Sequence, residues 1–383
     1  MTTRSSRNKM KILIVTRNLP PLIGGMERLN WHIADRLSHK HDIHLLSYTE
    51  AKKLAPAKTH FYAVRLNPLP LFLIIAFIKT FIICLIKKPD VLFAGSGLTA
   101  PIVVFWAKIF RKTSIVYIHG LDIATNHPIY NHIWIPMIRS ADKVVANSTP
   151  TQDICLHKGV SYNKLTIIHP GVTFPPVEKD QALINYIKNK YDLNNKKILI
   201  SVGRLTARKG ILEFVDYSLP TIIQSCPDTI LVIIGDTPIH SLNKNLQSKE
   251  SIISMAEKHT IQSHILFVGN ISDDSLLSAW YYLADIHVFP VKHIPEDPEG
   301  FGMVAIEAAT YGTPSIAFST GGITDAIQNN ESGILIEAGN YKKFSEAVIN
   351  QLTNSSSITA LKCQEFSKKF SWKNLGKNLN DLF

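Results

Sequence analysis

The stretch KILISVGRLTARKG, residues 197–210, decides the fold. A short apolar run without helical period, closed by a glycine and a basic turn, reads as a strand buried on both faces that ends in a loop. Runs of the same kind lie on either side of it. Before it come KILIVT (11–16), DIHLLS (42–47), DVLFAG (90–95), SIVYIHG (114–120), KVVANS (143–148) and KLTIIHPG (164–171). After it come TILVIIGD (229–236), HILFVGN (264–270), DIHVFP (285–290), PSIAFS (314–319) and GILIE (333–337). Segments of helical periodicity separate the runs, and that alternation predicts βαβ units, hence parallel sheets covered by helices on both faces. The fold class is α/β, with two doubly wound, Rossmann-like domains in tandem. A chain of 383 residues fits this reading, at roughly 150 residues per domain. The boundaries expected are 1–173 for the first domain, 174–195 for a linker and 196–365 for the second. The linker carries Pro175, Pro176, Asn194 and Asn195, with a short helix from Gln181 to Tyr191 inside it.

Composition narrows the function class. A hydrophobic fraction of 45%, a charged fraction of 19% and a mean hydropathy of +0.07 exclude a disordered, collagenous or polytopic membrane chain. The four cysteines, Cys84, Cys155, Cys226 and Cys363, form no CxxC pair, zinc ribbon or dense disulfide scaffold, which points to a reducing compartment. Charge is divided unequally. Residues 1–173 carry 22 Lys/Arg against 8 Asp/Glu, a net +14, whereas the remainder is net −3. A basic first half suits phosphate-bearing lipid, an anionic membrane surface or nucleic acid, and equally a merely soluble basic domain. Met1 to Lys9 is polar and basic and Ile12 to Val15 is too short for a secretory core, so a cytoplasmic location is expected. Leu69 to Ile86, LPLFLIIAFIKTFIICLI, is a borderline membrane span. Lys79 inside it and Lys87 and Lys88 after it favour a buried or interfacial helix, since a lysine at mid-bilayer costs roughly 3 kcal/mol.

In open parallel sheets ligands bind beyond the carboxyl ends of the strands, so the candidate site collects loops that follow strands: Asn18–Glu27, His119–Asp122, Gly203–Gly210, Gly235–Pro238 and Pro290–Gly302. Two such sheets facing one another would enclose a cleft. In EGFGMVAIE, Glu299 and Glu307 are separated by seven residues, with Gly300, Phe301 and Gly302 between them opening a helix. The first amides of that helix and its dipole suit a phosphate or a sugar hydroxyl, Glu307 a diol, and Glu299 a place beside the reacting centre. Arg204 and Lys209 follow the strand 197–203 and suit a diphosphate, which they would hold without a metal; a solvated charged turn is the plainer alternative. Asp297 and Glu299 flank one proline and mimic an acidic metal motif. Gly24 and Gly25 in NLPPLIGGMER open a helix after the first strand, where they either receive a phosphate or simply make a turn. His119 in YIHGLDI either serves a ligand or satisfies a backbone carbonyl.

Taken in order, GGMER, HGLD, ANS, HPGV, GRLTARKG, EGFGMVAIEA and GGITDAI resemble the family 4 glycosyltransferases, over roughly Lys11 to Phe383. HGLDI and EDPEGFGMVAIEAA look most like bacterial transferases of the phosphatidylinositol mannosyltransferase and lipopolysaccharide glycosyltransferase types. The resemblance implies a GT-B fold and a retaining, metal-independent enzyme that needs no cofactor and takes a UDP- or GDP-sugar as co-substrate. It implies that Arg204 and Lys209 bind the donor diphosphate and Glu307 the ribose. Glu299 and the amides around Gly300, Phe301 and Gly302 would contact the sugar, Gly24 and Gly25 would lie near the distal phosphate, and His119 near sugar and acceptor. Gly235 and Asp236, in GDTP, would lie near the base. FSWKNLGKNLNDLF would be a last helix, within 366–383, packing back on the first domain. With the basic first half and the apolar helix, a lipid-linked or saccharide acceptor of the cell envelope and peripheral membrane contact are expected, and nucleic acid is not. Rival readings are a two-lobed nucleotide-sugar binding protein without catalysis, a nucleic-acid binder, a membrane scaffold and a glycosidase-like carboxylate pair.

Overall fold

The computed structural model describes residues 9–176, 178–237, 247–354 and 358–383; Pro238 lies outside them. The chain forms two compact units, one of residues up to Gly171 together with Trp372–Phe383, the other Val172–Ser371.

Among the described residues the first unit holds seven parallel strands, β1 (Lys11–Val15), β2 (Asp42–Tyr48), β3 (Thr59–Val64), β4 (Val91–Ala94), β5 (Thr113–Ile118), β6 (Lys143–Ala146) and β7 (Leu165–Ile167), in the order β3-β2-β1-β4-β5-β6-β7. The second holds β8 (Lys197–Val202), β9 (Thr229–Ile234), β10 (Ile265–Gly269), β11 (Ile286–Phe289), β12 (Ser315–Phe318) and β13 (Gly333–Ile336), in the order β10-β9-β8-β11-β12-β13. The central strands are buried along almost their whole length, as expected for runs covered on both faces. β3 is the strand that the apolar pattern did not announce. It is an edge strand, its sequence THFYAV is half-buried, and a polar edge needs no continuous apolar run. Strand order reverses between β1 and β4 and between β8 and β11, and these switch points are where loops part and leave room for a ligand.

Three helices of the first unit matter below: α1 (Gly25–Ser38), α2 (Leu69–Lys87) and α3 (Ala100–Phe110). Two expected boundaries are corrected. The segment 174–195 is not a free linker, because the helix Gln181–Lys190 buries Ile184 and Ile187 against Trp280 in the second unit's core. The part of the chain that joins the first unit begins at Trp372 rather than 366, since Phe366 and Phe370 pack with Phe301 and Val172 in the second unit. The last helix, Trp372–Asn380, buries Trp372, Leu375, Gly376 and Leu379, one stripe at helical spacing. Trp372 stacks on His32 of α1 with ring centroids 3.7 Å apart, and Gly376 lets the helix close onto the Arg36 side chain.

Candidate functional site

In the second unit the site grows from the turn after β8. Residues Ala207–Lys209 make a single tight turn that ends at Gly210, whose φ of 70° belongs to the left-handed region. A side chain there would also collide, since its Cβ would lie 2.0 Å from the Pro290 carbonyl oxygen. That close approach, with the Lys292 amide donating to the Arg208 carbonyl at 2.8 Å, ties the β8 turn to the loop after β11. The loop after β12 joins them where the Gly322 amide donates to the Glu299 carbonyl at 2.8 Å. Three strand ends therefore converge on Glu299.

The side chains there form a charge cluster. Glu299 Oε2 accepts from Arg208 and from Lys209 Nζ, the latter at 2.8 Å, and Arg208 Nε lies 3.3 Å from Asp297 Oδ1. Each of these side chains is at most 16% exposed. The Lys209 ammonium also sits over the Phe289 ring, 4.7 Å from its centroid. Burial pushes the Glu299 carboxyl up, but Arg208 and Lys209 outweigh it and hold it at about 2, so it is a carboxylate. Burial pulls the Lys209 ammonium down, with Arg208 and Arg204 adding to that and Glu299 opposing it. Arg204 itself is exposed at the mouth of the cluster. Beside it the loop after β9 is held by the Leu205 amide donating to the Asp236 carbonyl at 3.0 Å, while the Asp236 carboxylate caps its own neighbour, Thr237 N, at 2.8 Å.

Glu307 lies on the helix Met303–Thr310, which starts at Gly302. Its side chain is buried, and Tyr281 donates its hydroxyl to Glu307 Oε2 at 3.2 Å while its ring stacks on Tyr311. Gly300 and Gly302 frame Phe301, whose ring is in the core against Phe370, so at that position only the backbone is left to serve a ligand.

The first unit has its own cluster at its switch point. His119 follows β5, and its Nε2 donates to the Gly95 carbonyl at 2.7 Å, which leaves Nδ1 as the ring nitrogen that can meet a ligand. Asp122 clamps the surroundings: one carboxylate oxygen takes the His119 amide at 2.8 Å and the other the Gly97 amide at 2.7 Å. Asn147, after β6, donates to the His119 carbonyl at 3.2 Å. Gly97 is required by closeness, because a Cβ would meet the Tyr130 hydroxyl at 2.8 Å and the Asp122 carbonyl at 2.9 Å. Gly24 and Gly25 open α1 as expected, but the N-terminal turn is faced by Glu27, so an anion arriving there must displace that carboxylate.

Of the residues picked out from sequence, Lys209 and Glu299 are in direct contact, with Arg204 close enough to act on Lys209; His119, Gly24 and Gly25 belong to the first unit. Sequence reasoning missed Arg208, for which Asp297 and Glu299 are the counter-charges. A basic doublet and an acidic pair at two strand ends of one sheet was the available signal. Tyr281 had no signal, being one of several aromatic residues on an apolar helix.

Two family models match, Glycosyl transferases group 1 over residues 184–370 and Glycosyltransferase Family 4 over residues 23–174. The chain belongs to the family 4 glycosyltransferases. It is therefore an enzyme that transfers sugar, of the GT-B fold. Among curated relatives, a GDP-mannose-dependent alpha-(1-6)-phosphatidylinositol monomannoside mannosyltransferase of Mycobacterium tuberculosis is 23% identical, with 97% of each chain covered. The capsular polysaccharide biosynthesis glycosyltransferase CapM of Staphylococcus aureus is 26% identical over 71% of this chain and 69% of its own length. Among solved structures, Anabaena HepE in complex with UDP superposes with a TM-score of 0.79 at 18% identity, covering 97% of this chain and 99% of that one.

Proposed function

We propose that this glycosyltransferase moves a hexose from a UDP- or GDP-sugar to a lipid-linked acceptor of the cell envelope, with retention at the anomeric carbon and without a metal. The observation that carries the reading is the cationic end of β8: Arg204 at the surface, Lys209 and Arg208 behind it, at the switch point of the second sheet. A diphosphate needs two or three donors of this kind, the guanidinium binding as a fork and the ammonium as a point charge. As the sugar leaves, charge develops on the diphosphate, and preorganised cations stabilise it most at that moment. Their own counter-charge, Glu299, is the group that a bound diphosphate relieves.

Glu299 has both neighbouring cations on one oxygen, which makes it a poor nucleophile and a poor base. It orients the donor sugar through hydrogen bonds, and the leaving diphosphate takes the acceptor proton. Glu307, with Tyr281 behind it, accepts from the ribose hydroxyls, and Gly235 and Asp236 lie by the base. In the first unit His119 meets the acceptor through Nδ1, the Asp122 clamp fixing its backbone. The names of the relatives support a lipid or glycan acceptor, since one is a phosphatidylinositol monomannoside mannosyltransferase and another a capsular polysaccharide glycosyltransferase. The basic first half and α2 support peripheral contact with the cytoplasmic face of a membrane.

Thermal unfolding with a panel of UDP- and GDP-sugars tests the donor reading. A ligand at 100 times its Kd adds about 2.7 kcal/mol of apparent stability. One nucleotide sugar should raise the transition of the native chain and not that of Arg204→Ala; a panel in which none does so would refute the donor site.

A further inference from the structure

The outer face of the first unit carries an apolar groove for which the sugar chemistry has no use. α2 is long and apolar enough to cross a membrane by length and composition, yet Phe72, Ala76, Thr80, Ile83 and Cys84 are buried against its own unit. Lys79 turns the same way and donates to the Ala63 carbonyl at the end of β3. What α2 presents outward is hydrocarbon: Ile74 is 58% exposed, Ile78 51% and Ile86 67%, beside Phe105 and Ile109 of α3. Between the N-terminal halves of α2 and α3 and the segment Tyr130–Ser140 lies a groove of about 440 Å³. Leu73, Phe77, Pro101, Ile102, Trp134 and Met137 line it. The indole N–H of Trp134 is already spent on the Leu98 carbonyl at 2.9 Å, so the walls offer nothing to a polar ligand.

Charge says what covers this face. Residues 69–112 carry six Lys/Arg and one acid, Asp90, and Asp90 is engaged by the Lys11 amide. Lys87 and Lys88 end α2, and Lys108, Arg111 and Lys112 end α3. A second copy packed here would bring like charges together, whereas an anionic leaflet attracts and neutralises them. Position says what fills the groove. Leu98, in its wall, follows Gly97, whose amide is held by the carboxylate that also holds the His119 amide. Tyr130, stacked on Trp134, donates its hydroxyl to the Asp122 carbonyl. One shell of bonds thus joins the groove's inner end to His119.

We propose that this groove receives one hydrocarbon chain of the acceptor lipid, drawn from an anionic leaflet, so that the head group emerges at His119. This rests on the lipid-linked acceptor proposed above and adds the place where the chain is held.

Vesicles of phosphatidylglycerol with dibrominated acyl chains provide the test, because bromine quenches tryptophan emission only at contact. The full-length protein should bind them, and bound protein should lose at least half of the emission that Trp134→Phe removes. Ile133→Glu, at the 49%-exposed rim of the groove, should abolish that quenching in the protein that remains bound. Ile86→Glu, at the far end of α2, should lower binding several-fold and leave quenching per bound molecule unchanged. Vesicle binding without Trp134 quenching overturns the groove and leaves the proposed reaction standing. Failure to bind vesicles, while a nucleotide sugar still raises the melting transition, overturns the lipid acceptor and the groove with it.

Discussion

The two switch points solve the same topological problem with opposite chemistry. At β8/β11 the strand ends gather charge: Arg208, Lys209 and Glu299 are buried together, and three loops are fixed by ion pairs as much as by backbone bonds. At β1/β4 and the neighbouring β5 end the loops are fixed by amides on one carboxylate, Asp122, and by glycines that let backbones touch. One site is a charge reservoir suited to an anion, the other a rigid frame that presents the His119 ring and an apolar groove. The difference follows from composition only indirectly. The first half is the basic one overall, yet the cations of the charge cluster, Arg208 and Lys209, with Arg204 beside them, belong to the net acidic half.

The largest expected effect breaks the charge reservoir. Arg204→Ala or Lys209→Ala should lower kcat/KM for transfer by roughly 10²–10³, as removing a preorganised donor does, with the fold preserved by circular dichroism. Turnover within threefold of the native chain would contradict the diphosphate assignment. Glu299→Gln is next: it leaves the buried Lys209 without its counter-charge and Arg208 with Asp297 alone, and should cost about 3–5 kcal/mol, read as a lower denaturation midpoint. Saturating nucleoside diphosphate should restore part of that loss; no recovery would mean that anion and Glu299 do not share the cations. In the other frame, Asp122→Ala removes two charge-assisted bonds and should cost about 1.5–3 kcal/mol, with acceptor KM rising more than donor KM.

Acid probes both regions at once. His287 on β11 is fully buried and held down at about 3 by burial, with Lys209 adding to it, and His32 under Trp372 is likewise held at about 3 by burial and the nearby Arg36 and Arg28. Both are neutral in the folded chain, so unfolding takes up protons once pH falls below the ordinary histidine range. Stability should be full above pH ~6.5 and decline toward pH 3 by roughly 1.4 kcal/mol per pH unit for each histidine. Melting at pH 7 and pH 5 reads this, and His32→Phe should blunt the decline. A flat profile would show that neither ring is held neutral by the fold, and half the slope that only one is.

Both sheets were legible because buried parallel strands leave contiguous apolar runs, and twelve of the thirteen strands among the described residues have one. β3 escaped because an edge strand is half-wet. Arg204, Lys209 and Glu299 were legible because they follow strands, and strand ends are where a doubly wound sheet keeps its ligands. Arg208 was not, since nothing in a one-dimensional pattern says that both members of an Arg–Lys doublet share one carboxylate about ninety residues away. The groove was half legible: the apolar helix was plain in the sequence, but the void beside it depends on how Trp134 and Met137 pack against it.

The Trp372–Asn380 helix has a consequence for the order of assembly. About 200 residues separate Gly171 from the segment that closes over α1. At a synthesis rate of roughly 5–20 residues per second, the ribosome needs some tens of seconds to supply it. Throughout that interval the His32 ring and the Arg36 side chain of the nascent first unit stand without Trp372 and Gly376, the native neighbours that later cover them.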